Sequence, residues 1–285
     1  MPRTGWTAGA ASRASPSHQA TPAWRGTSLI SGAYRAGGTY RDHAIVLRKL
    51  DYGEFDRIYT LLTREHGKVG ALARGVRRPT SRLASALDLF SRVDVQLARG
   101  RNLDVVTQAV RLPGPRLKAE PERTAHAALV AELADRVTED RHPMEGAYEL
   151  TAAALDELAR EPQPRRATAW FLMAALNFLG FTPQLDACAS CGRPLPEGAA
   201  AFSPPAGGFL CSDCTLPGMS AVSVQALKVL RLIASGDIDL YRRLKLADEL
   251  LAEVEHVLET QLEHHLDRQL RSLRFLRQMR SGSPA

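Results

Sequence analysis

Four cysteines constrain this chain more than any other feature of its sequence, because all of them fall in two Cys-x2-Cys pairs. The pairs, Cys188 with Cys191 and Cys211 with Cys214, are separated by nineteen residues. Each pair can place two thiolates on one side of a tight turn, and a tetrahedral Zn²⁺ ion then closes the loop between the pairs. Four thiolates fill the coordination shell and leave no position to activate water. The spacing therefore predicts one structural zinc ion per chain.

Disulfide bonds and a redox-active Cys-x-x-Cys pair are the alternative interpretations. A disulfide framework is typical of secreted proteins, and residues 1–38 contain no apolar core of the kind that a secretory signal requires. A redox pair would not explain why the motif occurs twice. We therefore favour zinc, held in a module that spans residues 185–219.

The zinc module interrupts a region with helical periodicity. Apolar residues recur at helical spacing in four segments, at 122–138, 144–160, 165–179 and 223–279. Pro121 and Pro164 lie near helix starts, and Gly180 lies at a helix end. The longest apolar stretch, 169–181, is interrupted by Asn177 and falls short of the ~20 residues of a membrane helix. We expect a helical domain and no contact with a membrane.

The region before these helices alternates apolar and polar side chains with the period of two that is typical of β-strands. The alternation predicts five short strands, at 43–50, 57–63, 68–74, 92–97 and 103–107. Residues 81–89 predict a helix between the third and the fourth strand. This layout matches an OB-type barrel.

A Pro-Gly-Pro sequence at 113–115 breaks the chain after the last strand. The expected fold is therefore α+β, with a five-stranded OB-type barrel at 39–113 and a helical domain with the inserted zinc module at 114–285. Residues 1–38 contain no acidic residue and no periodicity, which favours a disordered extension or a start codon assigned too far upstream. An organelle transit peptide is the alternative, because the segment is rich in Arg and Ser.

The charge of the chain is divided along its length. Residues 1–118 carry 20 Lys and Arg against 8 Asp and Glu, a net charge of +12, whereas residues 119–285 carry 17 against 23, a net charge of −6. A basic first part indicates a polyanionic partner, with nucleic acid as the leading candidate, and disfavours a plain metabolic enzyme.

The cations of the barrel region concentrate in one loop and one hairpin. No acidic residue occurs between Glu65 and Asp88, a segment that contains Lys68, Arg74, Arg77, Arg78 and Arg82. Arg99 and Arg101 lie on the predicted turn between the last two strands. With Thr80 or Ser81 as the cap of the following helix, these groups could converge on phosphate oxygens. A merely solvated surface is the alternative, and it is favoured for any single Arg.

Two further patterns leave their interpretations open. Tyr52, Phe55, Tyr59 and Phe90 suit a core as well as they suit stacking on bases, so we expect binding to be mainly electrostatic and weakly sequence-specific.

Near the end of the chain, cations recur every third residue beside leucines, at Arg268, Arg271, Arg274, Arg277 and Arg280. They form either a second phosphate-contacting surface or, as we favour, a solvated helix end.

No catalytic motif accompanies these features. The chain contains no Gly-rich phosphate loop, no Gly-x-Ser-x-Gly and no His-Glu-x-x-His. We therefore expect a binding protein and not an enzyme. The alternative to a nucleic-acid-binding protein is a zinc-ribbon scaffold for protein interactions whose basic charge is incidental.

Several motifs of the barrel region resemble those of the bacterial DNA repair protein RecO family. They are YRDHAIVLR at 40–48, GEFDRI at 53–58, HGKV at 66–69, ARGVRR at 73–78 and RNLD at 101–104. The likeness runs from about residue 40 to the end. It implies an N-terminal OB-fold followed by a helical domain which, in many members, carries a four-cysteine zinc module.

The resemblance also implies a function. RecO-like proteins are cytoplasmic, nucleoid-associated recombination mediators that bind single- and double-stranded DNA and anneal complementary strands. They act with RecR and with the C-terminal tail of the single-stranded DNA-binding protein, and so help RecA to load at gaps. By position, the resemblance assigns DNA contacts to Arg57, Lys68, Arg74, Arg77, Arg78 and Arg82.

Overall fold

The computed structural model describes residues 38–282 except 116, 118–119, 196–197, 199 and 267–268. The expectation for the N-terminal extension therefore lies outside the described residues, apart from Gly38. Arg268 of the C-terminal arginine series lies outside them as well.

Five strands close into a barrel at the start of the described chain. They are β1 (Thr39–Tyr52), β2 (Asp56–Thr63), β3 (Lys68–Ala73), β4 (Arg92–Ala98) and β5 (Asp104–Arg111). The order around the barrel is β1-β2-β3-β5-β4, in which β3 and β5 are parallel and the other neighbours are antiparallel. This is the predicted OB-type barrel.

The long strand β1 contributes to two cores at once. Ala44 and Val46 point into the barrel interior, whereas Ile45 and Leu47 lie on its outer face and join the core of the helical domain. Residues 44–47 are therefore all buried, because helices cover the outer face of the strand. The barrel and the helices therefore pack through a shared apolar contact.

The predicted helix at 81–89 is wrong in its length, because α1 spans only Leu83–Ala86. Leu87 packs into the barrel interior, while Phe90 packs into the helical core and takes a positive φ of 65°. The chain already leaves the helical conformation at Leu87, where φ is −88° and ψ is 49°. The predicted cap is wrong too, since Arg82 occupies the N-cap position and its side chain makes no capping hydrogen bond.

Seven helices follow in the described chain. They are α2 (Pro121–Val137), α3 (Ala147–Arg160), α4 (Pro164–Phe178), α5 (Val224–Ala234), α6 (Ile238–Arg243), α7 (Asp248–His265) and α8 (Arg271–Ser281). Pro121 and Pro164 each occupy the first helical turn, where the missing N–H costs nothing. Gly180 follows α4 with a φ of 80°, which lets the chain turn sharply. Among the described residues, no helix is both long enough and apolar enough to cross a bilayer.

The cysteine-bearing segment between α4 and α5 folds into a small sheet. Its strands are β6 (Ala200–Ser203), β7 (Gly208–Leu210) and β8 (Ala221–Val222), in the order β7-β6-β8. Gly208 lies so close to Gln184 that an added Cβ would come within 2.6 Å of the Gln184 backbone. The described residues of this segment therefore contain regular secondary structure of their own.

The C-terminal helix is held to α7 by ion pairs. Arg277 donates to Glu259 at 2.7 Å and to Glu263 at 2.9 Å, and Arg280 donates to Glu255 and Glu259 at 2.6 Å each. Glu255 and Glu259 are buried. Arg277 and Arg280 are therefore not only solvated, because their guanidinium groups pair with the carboxylates of α7.

Ion pairs also join the barrel to the helical domain. Cations of the barrel contact carboxylates of α2, α3 and the loop after α2, in the pairs Arg48–Asp135, Arg64–Glu149, Arg92–Asp156, Lys68–Asp135 and Lys68–Asp140. The distances range from 2.7 Å for Arg64 to 3.7 Å for Lys68 with Asp140. Part of the opposite charge of the two regions is thus neutralised where they meet.

Asp104 is the most deeply buried carboxylate of this joint. Its side chain is fully buried and accepts hydrogen bonds from Tyr40 Oη at 2.5 Å, the Gly100 amide at 3.0 Å and Arg141 Nη2 at 2.8 Å. Burial alone would raise the pKa of Asp104, but these donors outweigh it and hold the pKa below its usual value. Asp104 therefore ties β5 both to β1 and to the segment after α2.

We predict that Asp104→Asn lowers the free energy of unfolding by roughly 2–4 kcal/mol, because it removes a buried and fully hydrogen-bonded charge. Urea denaturation at neutral pH measures this loss. The exposed pair Arg41–Asp94 provides the control, and Asp94→Asn should cost less than about 1 kcal/mol.

The wild-type protein should also depend on pH through Asp104. A carboxyl group whose pKa is lowered by folding stabilises the protein above its unfolded pKa of about 3.9, and this contribution is lost as the pH falls through the folded pKa. Asp104→Asn should therefore flatten the fall in stability below about pH 4. An equally steep fall in the variant would contradict the role given to this carboxylate.

Candidate functional site

Three loops of the barrel meet at one end because of the strand register. Leu50 of β1 pairs with Ile58 of β2, Ile58 pairs with Leu72 of β3, and Leu72 pairs with Val105 of β5. The β1–β2 turn, the segment after β3 and the β4–β5 hairpin all leave the sheet from this row. Cations that are far apart in sequence therefore become neighbours.

The segment after β3 is fastened to the β1–β2 turn by hydrogen bonds. The Arg77 amide donates to the Phe55 carbonyl at 2.9 Å, and the Gly75 amide donates to Asp56 Oδ1 at 2.7 Å. Gly75 has a φ of 63°, which favours glycine at this tight turn. The two loops form one continuous surface.

Most of the predicted DNA contacts belong to this end of the barrel. Arg74, Arg77, Arg78, Arg82 and Arg101 are exposed. Arg77 is weakly tethered, with Nη1 3.4 Å from the Gly53 carbonyl oxygen and Nη2 3.6 Å from Asp51 Oδ2. Arg57 donates to the same Asp51 at 2.6 Å, and Arg99 lies over the ring of Tyr40 at 4.5 Å. Asp51, which both Arg57 and Arg77 contact, thus offsets part of the positive charge here.

Lys68 is not brought into this group. It lies at the start of β3, roughly 16 Å along a six-residue strand from Ala73. Its ammonium group is mostly buried and donates to the Asp135 carbonyl at 2.6 Å, beside the carboxylates of Asp135 and Asp140. Lys68 joins the barrel to the helical domain, so the surface defined below leaves it out.

Two of the four candidate aromatics are exposed at the same end. Tyr52 and Phe55 expose 55% and 38% of their surface, whereas Tyr59 and Phe90 are buried. The guanidinium of Arg78 lies 5.0 Å from the centre of the Phe55 ring. We call Tyr52, Phe55, Arg74, Arg77, Arg78 and Arg82 the barrel-end surface. It combines cations with flat apolar rings.

The four cysteines form a second site, in the helical domain. Their Sγ atoms all lie within 4.8 Å of one another, and Cys191 Sγ is 3.7 Å from Cys211 Sγ. A tetrahedral ion with metal–sulfur bonds of about 2.3 Å places its sulfurs about 3.8 Å apart. The donor set therefore fits a single metal ion that is enclosed by sulfur.

The backbone of each Cys-x2-Cys pair turns tightly to aim its sulfurs. The Gly192 amide donates to the Cys188 carbonyl at 2.9 Å, and the Cys214 amide donates to the Cys211 carbonyl at 3.0 Å. Gly192 has a φ of 75°, as the first turn requires. Backbone amides of Cys211 and Cys191 also lower the pKa of the Cys188 thiol to about 6, which favours the thiolate that a metal needs.

Comparison with known proteins finds a family model for the barrel and another for the helical domain. Residues 38–112 match the family model described as "Recombination protein O N terminal", and residues 119–274 match "Recombination protein O C terminal". The chain belongs to the RecO family. The two matches meet at the break after β5, and together they cover most of the chain.

Curated relatives of this RecO-family chain span nearly its whole described length. A "DNA repair protein RecO" from Nocardioides sp. is 39% identical over 247 residues, which cover 83% of this chain and 98% of the relative. The protein of the same name from Symbiobacterium thermophilum is 37% identical over 251 residues, covering 85% and 98%. That from Streptomyces griseus is 39% identical over 253 residues, covering 83% and 98%.

One residue of the cysteine site was missed by the sequence reasoning. Arg193 directly follows the first turn and contacts the sulfurs of Cys191 and Cys211. A cation two residues after a metal-ligand cysteine is a signal that could have found it, because thiolates attract positive charge.

We predict that the double variant Cys188→Ser/Cys211→Ser no longer holds a stoichiometric metal ion, since it loses one buried thiolate from each pair. Elemental analysis of the purified protein measures the metal. Limited proteolysis should then cut within 185–219 faster than in the wild type, while α2 to α4 stay protected. Metal retained at one ion per chain would place the ligands elsewhere.

Proposed function

We propose that this chain is a non-enzymatic recombination mediator of DNA repair that binds single- and double-stranded DNA and anneals complementary strands. The barrel-end surface is the observation that carries the proposal. It offers four exposed arginines beside two exposed aromatic rings, on a fold whose loops commonly bind oligonucleotides. The names of the relatives support a role in DNA repair.

Charge supplies the main attraction in this proposal. Arginines that contact phosphates release condensed counterions, and this gain is independent of base sequence. A surface of this kind lowers the repulsion between two backbones and so brings complementary strands together. Base pairing is itself favourable, so annealing needs no chemical step from the protein.

We propose that the helical domain binds protein partners. We assign it contacts with RecR and with the acidic, apolar C-terminal tail of the single-stranded DNA-binding protein, and through them an indirect role in loading RecA. The cysteine site is proposed to hold one Zn²⁺, because four thiolates suit zinc and leave it no open position. Its role is to hold the small sheet β6–β8 against the helices. We place the protein in the bacterial cytoplasm, associated with the nucleoid.

We predict that the salt dependence of binding reveals the phosphate contacts. If about five phosphates are contacted, log K for a single-stranded oligonucleotide should fall against log salt with a slope near −3.5. The variant Arg77→Ala/Arg78→Ala should reduce the slope to about −2 and weaken binding to all sequences alike. Fluorescence anisotropy at several salt concentrations measures both quantities.

A matched control is available in the helical domain. Arg243 at the end of α6 and Lys245 shortly after it are exposed, and their double replacement by Ala removes the same charge. It should leave the slope within error of the wild-type value. A flat salt response of the wild type would favour the zinc-ribbon scaffold, and an equal loss in both variants would mean that only net charge matters.

We further predict that Tyr52 and Phe55 stack on bases. A single-stranded oligonucleotide should bind more tightly than an abasic strand of equal length and charge, by about tenfold or more, since each stacked base contributes roughly 1–3 kcal/mol. The variant Tyr52→Ala/Phe55→Ala should lose this difference but keep the salt slope. Phe275→Ala, which removes an exposed ring on α8, is the control and should change neither quantity. Equal binding of both strands to the wild type would contradict stacking.

A further inference from the structure

A metal ion enclosed by four cysteine thiolates creates an excess of negative charge. A divalent ion with four thiolates has a net charge of −2, and such a charge is costly where water is partly excluded. Cys188 and Cys211 are buried, whereas Cys191 is exposed. A nearby positive charge would therefore stabilise the centre, and Cys191 is the most exposed of its four ligand residues.

Arg193 lies where it can supply this positive charge and shield Cys191. Its Nε lies 3.4 Å from Cys191 Sγ, and its Nη2 lies 3.8 Å from Cys211 Sγ. The same Nη2 donates to Asp213 Oδ2 at 2.7 Å. The planar guanidinium of Arg193 thus contacts one sulfur of each Cys-x2-Cys pair. It also contacts the carboxylate of Asp213, which lies between the two cysteines of the second pair.

The backbone of Arg193 is fixed by the turn that aims the first two sulfurs. Its carbonyl accepts a hydrogen bond from the Cys188 amide at 2.8 Å. The side chain then spans from the first turn to the 3-10 helix Ser212–Cys214 that carries Asp213. Arg193 and Asp213 therefore form a contact between the two halves of the site that is independent of the metal.

The ion pair alone does not explain this arrangement. The side chains of Arg193 and Asp213 are 58% and 65% exposed, and surface pairs of this kind contribute little to stability. Hydrogen bonds to metal-bound thiolates have a larger effect, because they lower the electron density of sulfur. The contacts of Arg193 with the two sulfurs are therefore expected to matter more than its ion pair with Asp213.

We propose that Arg193 is a positioning residue of the metal centre, which slows both the loss of the metal and the attack of oxidants on Cys191. Asp213 holds the guanidinium in the orientation that reaches both sulfurs. This inference rests on the metal site proposed above and is independent of DNA binding. Removing Arg193 should raise the nucleophilicity of Cys191 and weaken the hold on the metal, since such supporting partners typically change metal affinity by 10–100-fold.

The test compares the rate of zinc release from the full-length wild-type protein and its variants. An aromatic disulfide reagent is added, so that a cysteine thiolate attacks one sulfur of the reagent, forms a mixed disulfide and releases the aromatic thiolate. A chromophoric chelator reports the zinc that is set free. We expect Arg193→Ala to release zinc about tenfold faster than the wild type, and Asp213→Asn to show a smaller acceleration in the same direction.

Cobalt spectra separate this role from a merely structural one. In the Co²⁺-substituted protein, loss of an N–H to sulfur hydrogen bond should shift the sulfur-to-metal charge-transfer band to lower energy. Arg231 supplies the matched control, since it supports the module by donating to the Leu185 carbonyl at 2.6 Å and to Asp186. Arg231→Ala should lower stability without shifting the band.

Each outcome decides the inference. Wild-type release rate and wild-type band position in Arg193→Ala would overturn it, as would an equal band shift in Arg231→Ala. If Arg193→Ala fails to fold with metal, Arg193→Lys takes its place. The lysine variant keeps the charge but cannot reach both sulfurs, so the inference requires an intermediate rate and an intermediate band shift. A wild-type protein without any metal would overturn the metal site itself and this inference with it.

Discussion

The partition of the barrel's cations between the face that packs on the helices and the barrel-end surface determines how this molecule is built. Toward the helical domain, Arg48, Arg64, Lys68 and Arg92 face carboxylates of α2, α3 and the loop after α2. These pairs lie around a shared apolar core to which Ile45 and Leu47 contribute. At the barrel-end surface, the arginines after β3 face solvent. The cations of the barrel thus serve assembly where they face the helices and form a basic surface where they face solvent.

Several parts of this arrangement follow from the sequence. Period-two alternation predicts the barrel strands, and Pro121 and Pro164 predict helix starts to within one residue because proline suits the first turn. The paired cysteines predict their own cluster, since the spacing allows little else. In each case the signal is local, so a short stretch of chain contains all the information.

Other parts depend on contacts between distant segments. The helix at 81–89 is cut short because Leu87 and Phe90 are drawn into two different cores, which no local pattern reveals. Lys68 belongs to the joint because the strand register places it beside α2, and Arg277 meets carboxylates of α7 because α8 packs on α2 with its arginines directed toward α7. Tyr52 and Tyr59 look alike in the sequence, and only barrel closure decides which of them meets solvent.

The proposed mediator role places a limit on how tightly the barrel-end surface should hold DNA. A protein that brings two strands together must release them once they pair, so many weak contacts suit it better than a few strong ones. Exposed arginines provide such contacts, because each is screened by salt and exchanges readily with counterions. Tyr52 and Phe55 add stacking that is available only while bases are unpaired, and duplex formation removes it. Base pairing would then weaken the affinity of the protein for the duplex that it forms. The barrel-end surface would then be available to bind another strand.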